Sequence, residues 1–301
     1  MINYSHYLKK NRHTIFLFHG VIPKNNSLLR NYTKKHLELK TFKKIIKDLD
    51  QNGNCISIDE LSEHIIKKKK FPDYSFTITF DDGFENNLII AAPILLNLNM
   101  PFTIYVTSDF AEKNVMSWTD KIEYAFEHTK EKTIILPWSK KEITIINVDQ
   151  KVGIINEIRD KVKKSKTIDP SKFSDYILEK LKIKKIYKDK FLDQKINSKQ
   201  ICDFSKNKLI CFGAHTKTHK VLSYLKLKEL EKEIKISIDF LKKNCGLEVK
   251  YFSYPEGFEG SYNKKVIEVL KKFGIVSSPT AIHGTNTINT SLFDLKRIMV
   301  T

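Results

Sequence analysis

Two adjacent carboxylates follow an apolar, β-branched stretch of this chain. Residues 76–80 have the composition of a buried strand, and Asp81, Asp82 and Gly83 follow them directly. Two acids side by side at a strand end repel each other and lose hydration, so such a pair usually needs a nearby cation. Because Asp-Gly is also a common turn pair, these residues alone leave a solvated turn as the alternative.

Two histidines, His215 and His219, follow a second apolar run at residues 209–212. On a helical turn, a spacing of four residues places both imidazoles on one face. One carboxylate and two imidazoles form a mixed oxygen and nitrogen set that suits Zn²⁺ or another divalent first-row metal. Such a set leaves coordination positions open for water and substrate. We therefore expect a metal site that combines the acid pair with these histidines.

These groups can meet only if their strands end at the same edge of a sheet. A strand at 76–80, an apolar helix at 87–98 and a strand at 102–106 alternate, which predicts a parallel sheet with outer helices. If that sheet closes, catalytic groups belong at the C-terminal ends of its strands. The alternation breaks at about 110–208. We predict one α/β domain over 1–301 with a mainly helical insertion there, since a chain of this size commonly forms one barrel domain.

Three segments, in this order, resemble signature motifs of the polysaccharide deacetylase family, the NodB-homology carbohydrate esterases. They are Thr-Phe-Asp-Asp-Gly at 79–83, His-Thr-x-x-His at 215–219 and Tyr-Pro-Glu-Gly at 254–257. The similarity of pattern runs from about residue 12 to the C-terminus. The resemblance implies a distorted (β/α) barrel, usually of seven strands, and a metal-dependent hydrolase that removes an N-acetyl or related acyl group from a saccharide.

The resemblance also implies a role for each matched residue. Asp82, His215 and His219 would hold the metal, which we expect to be Zn²⁺, with Co²⁺, Ni²⁺ or Mn²⁺ as alternatives. Asp81 would be the general base, free of the metal. The backbone N–H of Glu256 stands where the family has its oxyanion donor.

The chain departs from the family pattern at several places. Ser253 stands nearest to the position of the arginine that often orients the base in the third motif. The usual Asp-x-x-Asp-Trp fourth motif has no counterpart, and the acid histidine of the fifth motif has no clear match. His283 is the only histidine after the third motif, so we assign it as the candidate general acid, with a surface loop residue as the alternative.

Four residues are candidates for substrate binding. Tyr254 and Pro255 belong to the third motif, and Trp118 lies in a Trp-x-Asp-Lys-Ile segment similar to one that many bacterial members carry. Trp118 would stack on a sugar ring or pack as an ordinary aromatic residue. His19 resembles a histidine often seen after the first strand, and a capping or core histidine is its alternative.

The formal net charge is +18, from 53 Lys and Arg against 35 Asp and Glu. Such a charge is compatible with nucleic acid, anionic lipid or an acidic saccharide as partner. The lysines are spread along the chain, however, and arginine is scarce, as in proteins from AT-rich genomes. No nucleic-acid-binding motif is present, so nucleic acid is not expected as a partner.

The cysteines form no Cys-x-x-Cys pair and indicate ordinary reduced thiols. The apolar run at 14–18 is too short for a signal-peptide core, and no stretch approaches a membrane span. These features predict a cytoplasmic protein. The substrate expected there is a soluble or lipid-linked amino-sugar precursor, bound at a basic mouth suited to a nucleotide or pyrophosphate carrier.

Two further functions remain open at this point. The chain could hydrolyse a non-sugar amide, or it could be a catalytically silent relative that binds carbohydrate. The complete set of acids and histidines favours catalysis. The oligomeric state is not predicted.

Overall fold

A parallel β-sheet forms the centre of the protein in the computed structural model, which describes residues 3–301. The strands, in chain order, are β1 (Thr14–Phe18), β2 (Gly20–Ile22), β3 (His36–Glu38), β4 (Asn54–Cys55), β5 (Ser75–Phe80), β6 (Phe102–Val106), β7 (Thr133–Ile134), β8 (Ile143–Thr144), β9 (Ile210–Ala214), β10 (Pro279–His283) and β11 (Leu295–Met299).

Helices surround this sheet and build the insertion. They are α1 (Leu39–Asn52), α2 (Ile58–Ile66), α3 (Ala92–Asn97), α4 (Ser108–Lys113), α5 (Trp118–His128), α6 (Val148–Lys164), α7 (Pro170–Lys180), α8 (Ser198–Phe204), α9 (Leu227–Cys245) and α10 (Lys264–Lys272). The predicted helix at 87–98 is divided, because a π-helical turn (Asn87–Ala91) precedes α3 and Pro93 lies in the first turn of α3. Proline is tolerated there, since the first N–H groups of a helix have no intrahelical acceptor.

The main sheet has the order β10-β11-β1-β5-β6-β9, with β4 pairing beside β5. All these pairings are parallel. Every residue of β1, β5 and β6 is buried, which explains their nearly continuous apolar and β-branched composition. The register pairs Phe18 with Phe80 and Val106 with Ala214. The residues that follow β5 and β9 therefore emerge at the same edge of the sheet.

The segment 251–253 links the two outer strands of this sheet. Phe252 forms a parallel bridge with Ala214, and Tyr251 forms one with Ser277, just before β10. The Ser253 N–H donates to the Ala214 carbonyl at 3.0 Å, and the Phe252 N–H donates to the Ser277 carbonyl at 3.1 Å. Counting this segment, the parallel strands form a distorted ring of seven, which confirms the predicted α/β barrel class.

The insertion has a hydrophobic cluster of its own. Side chains from α5, the β7–β8 hairpin, α6 and α7 meet there, including Trp118, Phe126, Ile158 and Phe173. The last part of the region predicted as insertion behaves differently, because Ile196 and Ile201 belong to the barrel core. Apart from Leu29, the buried residues of the separate cluster therefore come from the chain between α5 and the residue after α7, and α8 packs with the barrel.

Cys202 in α8 and Cys245 at the end of α9 form a disulfide. The expectation that all cysteines are reduced thiols is therefore wrong for this pair, while Cys55 and Cys211 are free. The two partners are 43 residues apart in the chain, and only the packing of α8 against α9 brings them together. Within residues 3–301, no helix is long and apolar enough to cross a membrane.

Candidate active site

Asp82, His215 and His219 form a cluster at the edge of the barrel where β5 and β9 end. Asp82 Oδ1 lies 3.3 Å from His219 Nε2 and 3.7 Å from His215 Nε2. One ligand atom from each residue lies within 4.8 Å of the others. Asp82 Oδ1 is buried and has no hydrogen-bond partner among the described residues. Because an unpaired buried carboxylate oxygen is costly, this arrangement fits a bound cation.

Left-handed backbone conformations, rather than a helical turn, bring these side chains together. Asp82 has φ 73°, and Thr216 and His219 have φ 64° and 62°. Residues 215–219 form a bend and not the helical turn that the four-residue spacing suggested. The His219 N–H donates to Thr216 Oγ1 at 2.8 Å, which holds the bend. Non-glycine residues adopt positive φ at a cost, and such strain is concentrated at functional sites.

A hydrogen bond orients the His215 imidazole. Its Nδ1–H donates to the Ser253 carbonyl at 2.7 Å, so the Nε2 lone pair is left for a metal. Burial lowers the pKa of His215, partly offset by the Asp81 carboxylate. The neutral imidazole, which is the form that binds a metal, is therefore favoured.

Asp81 is held by an arginine that the sequence reasoning missed. Arg297 of β11 makes two N–H···O bonds to the Asp81 carboxylate, at 2.9 and 2.7 Å. Ser253 Oγ donates to Asp81 at 3.2 Å and accepts from Arg297 at 3.0 Å. Burial alone would raise the pKa of Asp81, but the Arg297 guanidinium, together with His215 and His19, holds it below its usual value. The closing strand thus supplies the cation that is missing from the third motif.

The acids and the two histidines open onto a cavity of about 180 Å³. His19, Trp118 and Glu256 also line it, so three of the other predicted residues lie at the site. Burial lowers the pKa of His19 to about 4, against the opposing effect of the two aspartates. Trp118 both faces the cavity and packs in the insertion cluster, so the two alternatives for this residue are compatible.

Three predicted residues are not brought to the cavity. The His283 side chain is exposed and its ring lies against Tyr7, with the centroids 5.5 Å apart. Tyr254 is 1% exposed and stacks on Tyr262 inside the core. Pro255 is buried beside it and does not line the cavity. Their positions fit neither a general acid nor direct substrate contact.

Glu256 adopts a left-handed conformation with φ 61°. Its N–H makes no hydrogen bond within the described residues, which leaves this donor available to a ligand. Its carboxylate pairs with Lys163 of α6 at 2.5 Å. Burial would raise the pKa of Glu256, but Lys163 holds it below its usual value. The insertion therefore contacts the third motif through an ion pair at the cavity wall.

Other basic side chains at the cavity also have carboxylate partners from α5. Lys35 pairs with Asp120 at 2.6 Å, and Arg159 pairs with Glu123 at 3.3 Å. Asp120 belongs to the Trp-x-Asp-Lys-Ile segment noted in the sequence, but that segment does not indicate Lys35 as its partner, because the two residues are 85 positions apart in the chain.

Lys195 is a buried cation near Asp82 and Asp120. It is 4% exposed, and its Nζ lies 3.0 Å from the centroid of the Phe84 ring. Burial lowers its pKa to about 8, against the opposing effect of Asp82 and Asp120. It lies outside the lining of the cavity, and its charge helps to hold the pKa of Asp82 below its usual value.

Known protein families and structures provide an independent comparison. A family model described as polysaccharide deacetylase matches residues 169–277, a range that contains both histidines and the third motif. No curated protein sequence matches the chain.

Solved structures resemble the chain over nearly its whole length. One is the Streptococcus pyogenes deacetylase PplD in complex with acetate, with 15% identity and a TM-score of 0.62, covering 97% of this chain and 93% of that chain. IcaB from Ammonifex degensii has 16% identity and a TM-score of 0.61, covering 98% and 94%. A de-N-acetylase from Aggregatibacter actinomycetemcomitans has 13% identity and a TM-score of 0.60, covering 96% and 95%. At these identities the likeness shows a common fold.

The family match and the shared fold together confirm that this chain resembles the polysaccharide deacetylase family.

Proposed function

We propose that this chain is a metal-dependent hydrolase that removes an N-acetyl group from an amino-sugar-containing saccharide. The observation that supports this most directly is that the two adjacent acids, Asp81 and Asp82, have different partners. Asp82 faces two histidines with an unpaired oxygen, whereas Asp81 is held by a buried arginine. One acid is suited to binding a cation, and the other to accepting a proton.

The donor set fits a divalent first-row metal, with Zn²⁺ as our first choice. Asp82, His215 and His219 would hold it, and the orphaned Asp82 Oδ1 is the atom that most clearly lacks a partner. A metal bound there would polarise the acetamide carbonyl and lower the pKa of the attacking water.

The protein's own residues account for the proton transfers. Asp81, kept ionised by Arg297, accepts a proton from water as the water oxygen bonds to the carbonyl carbon. The free Glu256 N–H would donate to the developing oxyanion. The carbon–nitrogen bond then breaks, and the departing amine takes a proton. We assign this transfer to His19 instead of His283, because His19 lines the cavity. Burial keeps His19 neutral at rest, so His19 would first accept from Asp81 the proton that Asp81 took from water, and would then pass it to the amine.

The disulfide bears on where this reaction takes place. Disulfides persist in oxidising compartments and are rare in the cytosol. The Cys202–Cys245 bond therefore favours an oxidising compartment over the cytoplasm that we expected. Labelling of free thiols in protein taken directly from its native cell tests this. A cytoplasmic protein would have Cys202 and Cys245 as reduced thiols in addition to the free Cys55 and Cys211.

The test of the activity is reconstitution. Protein stripped with a chelator is reloaded with Zn²⁺, Co²⁺, Ni²⁺ or Mn²⁺, and acetate release is measured on N-acetylated saccharides. We expect release only from reloaded protein, and a fall of about 10² to 10⁴ in turnover for Asp81→Asn at unchanged metal content. Absence of acetate release from every substrate with every metal would refute the proposal.

A further inference from the structure

The Lys163–Glu256 ion pair joins the insertion to the third motif at the residue whose backbone N–H is free. Lys163 Nζ lies 2.5 Å from Glu256 Oε2, and the two side chains are 28% and 11% exposed. We propose that Lys163 is a positioning residue, whose ion pair holds Glu256 in the conformation that makes its N–H available to the active-site cavity. This inference rests on the proposed function, in which that N–H donates to the developing oxyanion.

Glu256 is the central residue of a tight turn. The Gly257 N–H donates to the Pro255 carbonyl at 2.7 Å, and Glu256 between them has φ 61°. A three-residue turn with positive φ at its centre is the rare and strained form of the γ-turn. A side chain other than that of glycine adds to the strain, because its Cβ crowds the backbone at positive φ. Other contacts must therefore hold Glu256 in this conformation.

The barrel fixes the two neighbours of Glu256. The ring of Pro255 restricts its own φ, and the Gly257 carbonyl accepts from the Ala281 N–H of β10 at 2.8 Å. A Cβ at Gly257 would lie 2.4 Å from the Ala281 nitrogen, so this glycine packs directly against β10. Glu256 itself makes no backbone hydrogen bond within residues 3–301. The ion pair to Lys163 is therefore the contact that restrains Glu256 through its own side chain.

The insertion presents Lys163 from a fixed position. Val162, the preceding residue of α6, is 2% exposed and belongs to the insertion cluster. The Tyr224 hydroxyl donates to the Lys163 carbonyl at 3.3 Å, which ties this end of α6 to the barrel. Because the backbone of Lys163 is held from both sides, its ion pair can fix the position of the Glu256 carboxylate.

The other basic side chains at the active-site cavity are also paired within the protein. Lys35 lies 2.6 Å from Asp120, and Arg159 lies 3.3 Å from Glu123. The basic mouth expected from the net charge of +18 is therefore not formed by these lysine and arginine residues. An anionic substrate would have to displace a carboxylate from its partner. This favours a role of Lys163 through Glu256 over direct binding of an anion.

Steady-state kinetics separate positioning from substrate contact. An oxyanion develops only in the transition state, so a misplaced donor lowers kcat and leaves KM unchanged. Removal of an oxyanion donor typically lowers kcat by about 10² to 10³. For metal-loaded Lys163→Met we expect kcat for acetate release to fall by at least about tenfold, with KM within about twofold of the wild type. Lys163→Arg keeps the cation and should recover most of kcat.

Lys161→Met is the matched control. Lys161 is exposed on the same helix and lies outside the lining of the active-site cavity. This variant loses the same charge from α6 and should leave kcat unchanged. Metal content and the midpoint of urea denaturation should be the same in Lys161→Met and Lys163→Met, so that a loss of kcat cannot be ascribed to unfolding or to loss of metal.

Glu256→Gln separates positioning from the charge of Lys163. It keeps the backbone N–H, breaks the pair and leaves the lysine as an unpaired cation at the cavity. A role through charge alone would raise kcat, whereas positioning predicts a fall similar to that of Lys163→Met. The double variant should show no further fall, because the two side chains act as one unit. Glu256→Gly should lose less than Glu256→Gln, since glycine adopts positive φ without strain.

Acetate binding reports on the donor without turnover. Metal-loaded proteins are titrated calorimetrically with acetate, whose carboxylate can accept a hydrogen bond from the Glu256 N–H. Loss of a hydrogen bond to a charged group should raise Kd by about tenfold in Lys163→Met and in Glu256→Gln. Lys161→Met should bind acetate as the wild type does.

A raised KM at unchanged kcat in Lys163→Met would make this lysine a substrate contact and overturn the inference. Faster turnover or tighter acetate binding by Glu256→Gln would overturn it too, as would losses that multiply in the double variant. If no substrate releases acetate while the acetate Kd values change as expected, the proposed function is wrong and the positioning role stands. If acetate is released but kcat and Kd of the variants equal those of the wild type, the reverse holds.

Discussion

Replacing Arg297 by methionine tests how Asp81, the proposed base, is held. The wild-type side chain is 1% exposed, and its guanidinium makes two N–H···O bonds to Asp81, which is 4% exposed. Methionine retains much of the volume but leaves Asp81 as a buried carboxylate without a cation. Breaking a buried ion pair from one side costs about 3 to 5 kcal/mol, so the free energy of unfolding should fall by about that amount.

The loss should depend on pH with a definite sign. In the wild type, the pKa of Asp81 lies below its usual value, so the carboxylate stabilises the fold above about pH 4. This contribution is lost as pH falls through the lowered native pKa. In Arg297→Met, the guanidinium no longer opposes the effect of burial on the Asp81 carboxyl. The pKa of Asp81 should therefore rise above its unfolded value. The difference in stability between the two proteins should therefore be larger at pH 7 than at pH 4.

Two measurements follow this change. Urea denaturation of chelator-treated proteins at pH 4 and pH 7 gives the stabilities without a contribution from bound metal. The pH dependence of kcat/KM for the metal-loaded proteins gives the ionisation of the base, and its acidic limb should move to higher pH in Arg297→Met. Lys296→Met is the control, because Lys296 is the exposed neighbour on β11 and should change neither quantity.

A double variant shows whether the effect arises from the pair itself. Adding Asp81→Asn to Arg297→Met removes the stranded carboxylate and should recover most of the lost stability. An equal cost of Arg297→Met with and without Asp81→Asn would refute the reasoning. The reasoning would also be refuted if the acidic limb of the kcat/KM profile did not move. The pKa of the proposed base would then not depend on Arg297.

The remaining predictions concern the metal, the proton donor and the disulfide. His219→Ala should lose bound metal and activity together while staying folded, as elemental analysis and circular dichroism would show; full metal occupancy would contradict the assignment. Asp81→Asn should keep the bound metal. If added metal restored the turnover of this variant, Asp81 would have to be assigned as a metal ligand instead. His19→Ala should lower kcat while metal content is unchanged, and unaltered kcat would remove His19 as the proton donor. Replacing Cys202 and Cys245 by serine should lower the free energy of unfolding by about 4 kcal/mol, from the entropy of a 43-residue loop, and equal denaturation midpoints would argue against the disulfide.

Local patterns in the sequence were sufficient for much of the scaffold. The capping box of Ser57 and Glu60 opens α2, and Gly246 ends α9 in a left-handed conformation, as their residue types predict. Buried strands followed by acids or histidines predicted the edge at which Asp82 and His215 meet. Such features are readable because caps and periodicity act over a few neighbouring residues.

The tertiary structure decided which distant side chains become partners. Arg297 is 216 residues from Asp81, and only the position of β11 beside β1 brings it to that carboxylate. Glu256 meets Lys163 because the insertion packs over the barrel, and His283 is absent from the cavity because its side chain lies on the surface. The sequence alone identified the adjacent acids and the two histidines as candidates for the chemistry. Their charge partners depend on strand order and on how the insertion packs, and a local pattern contains neither.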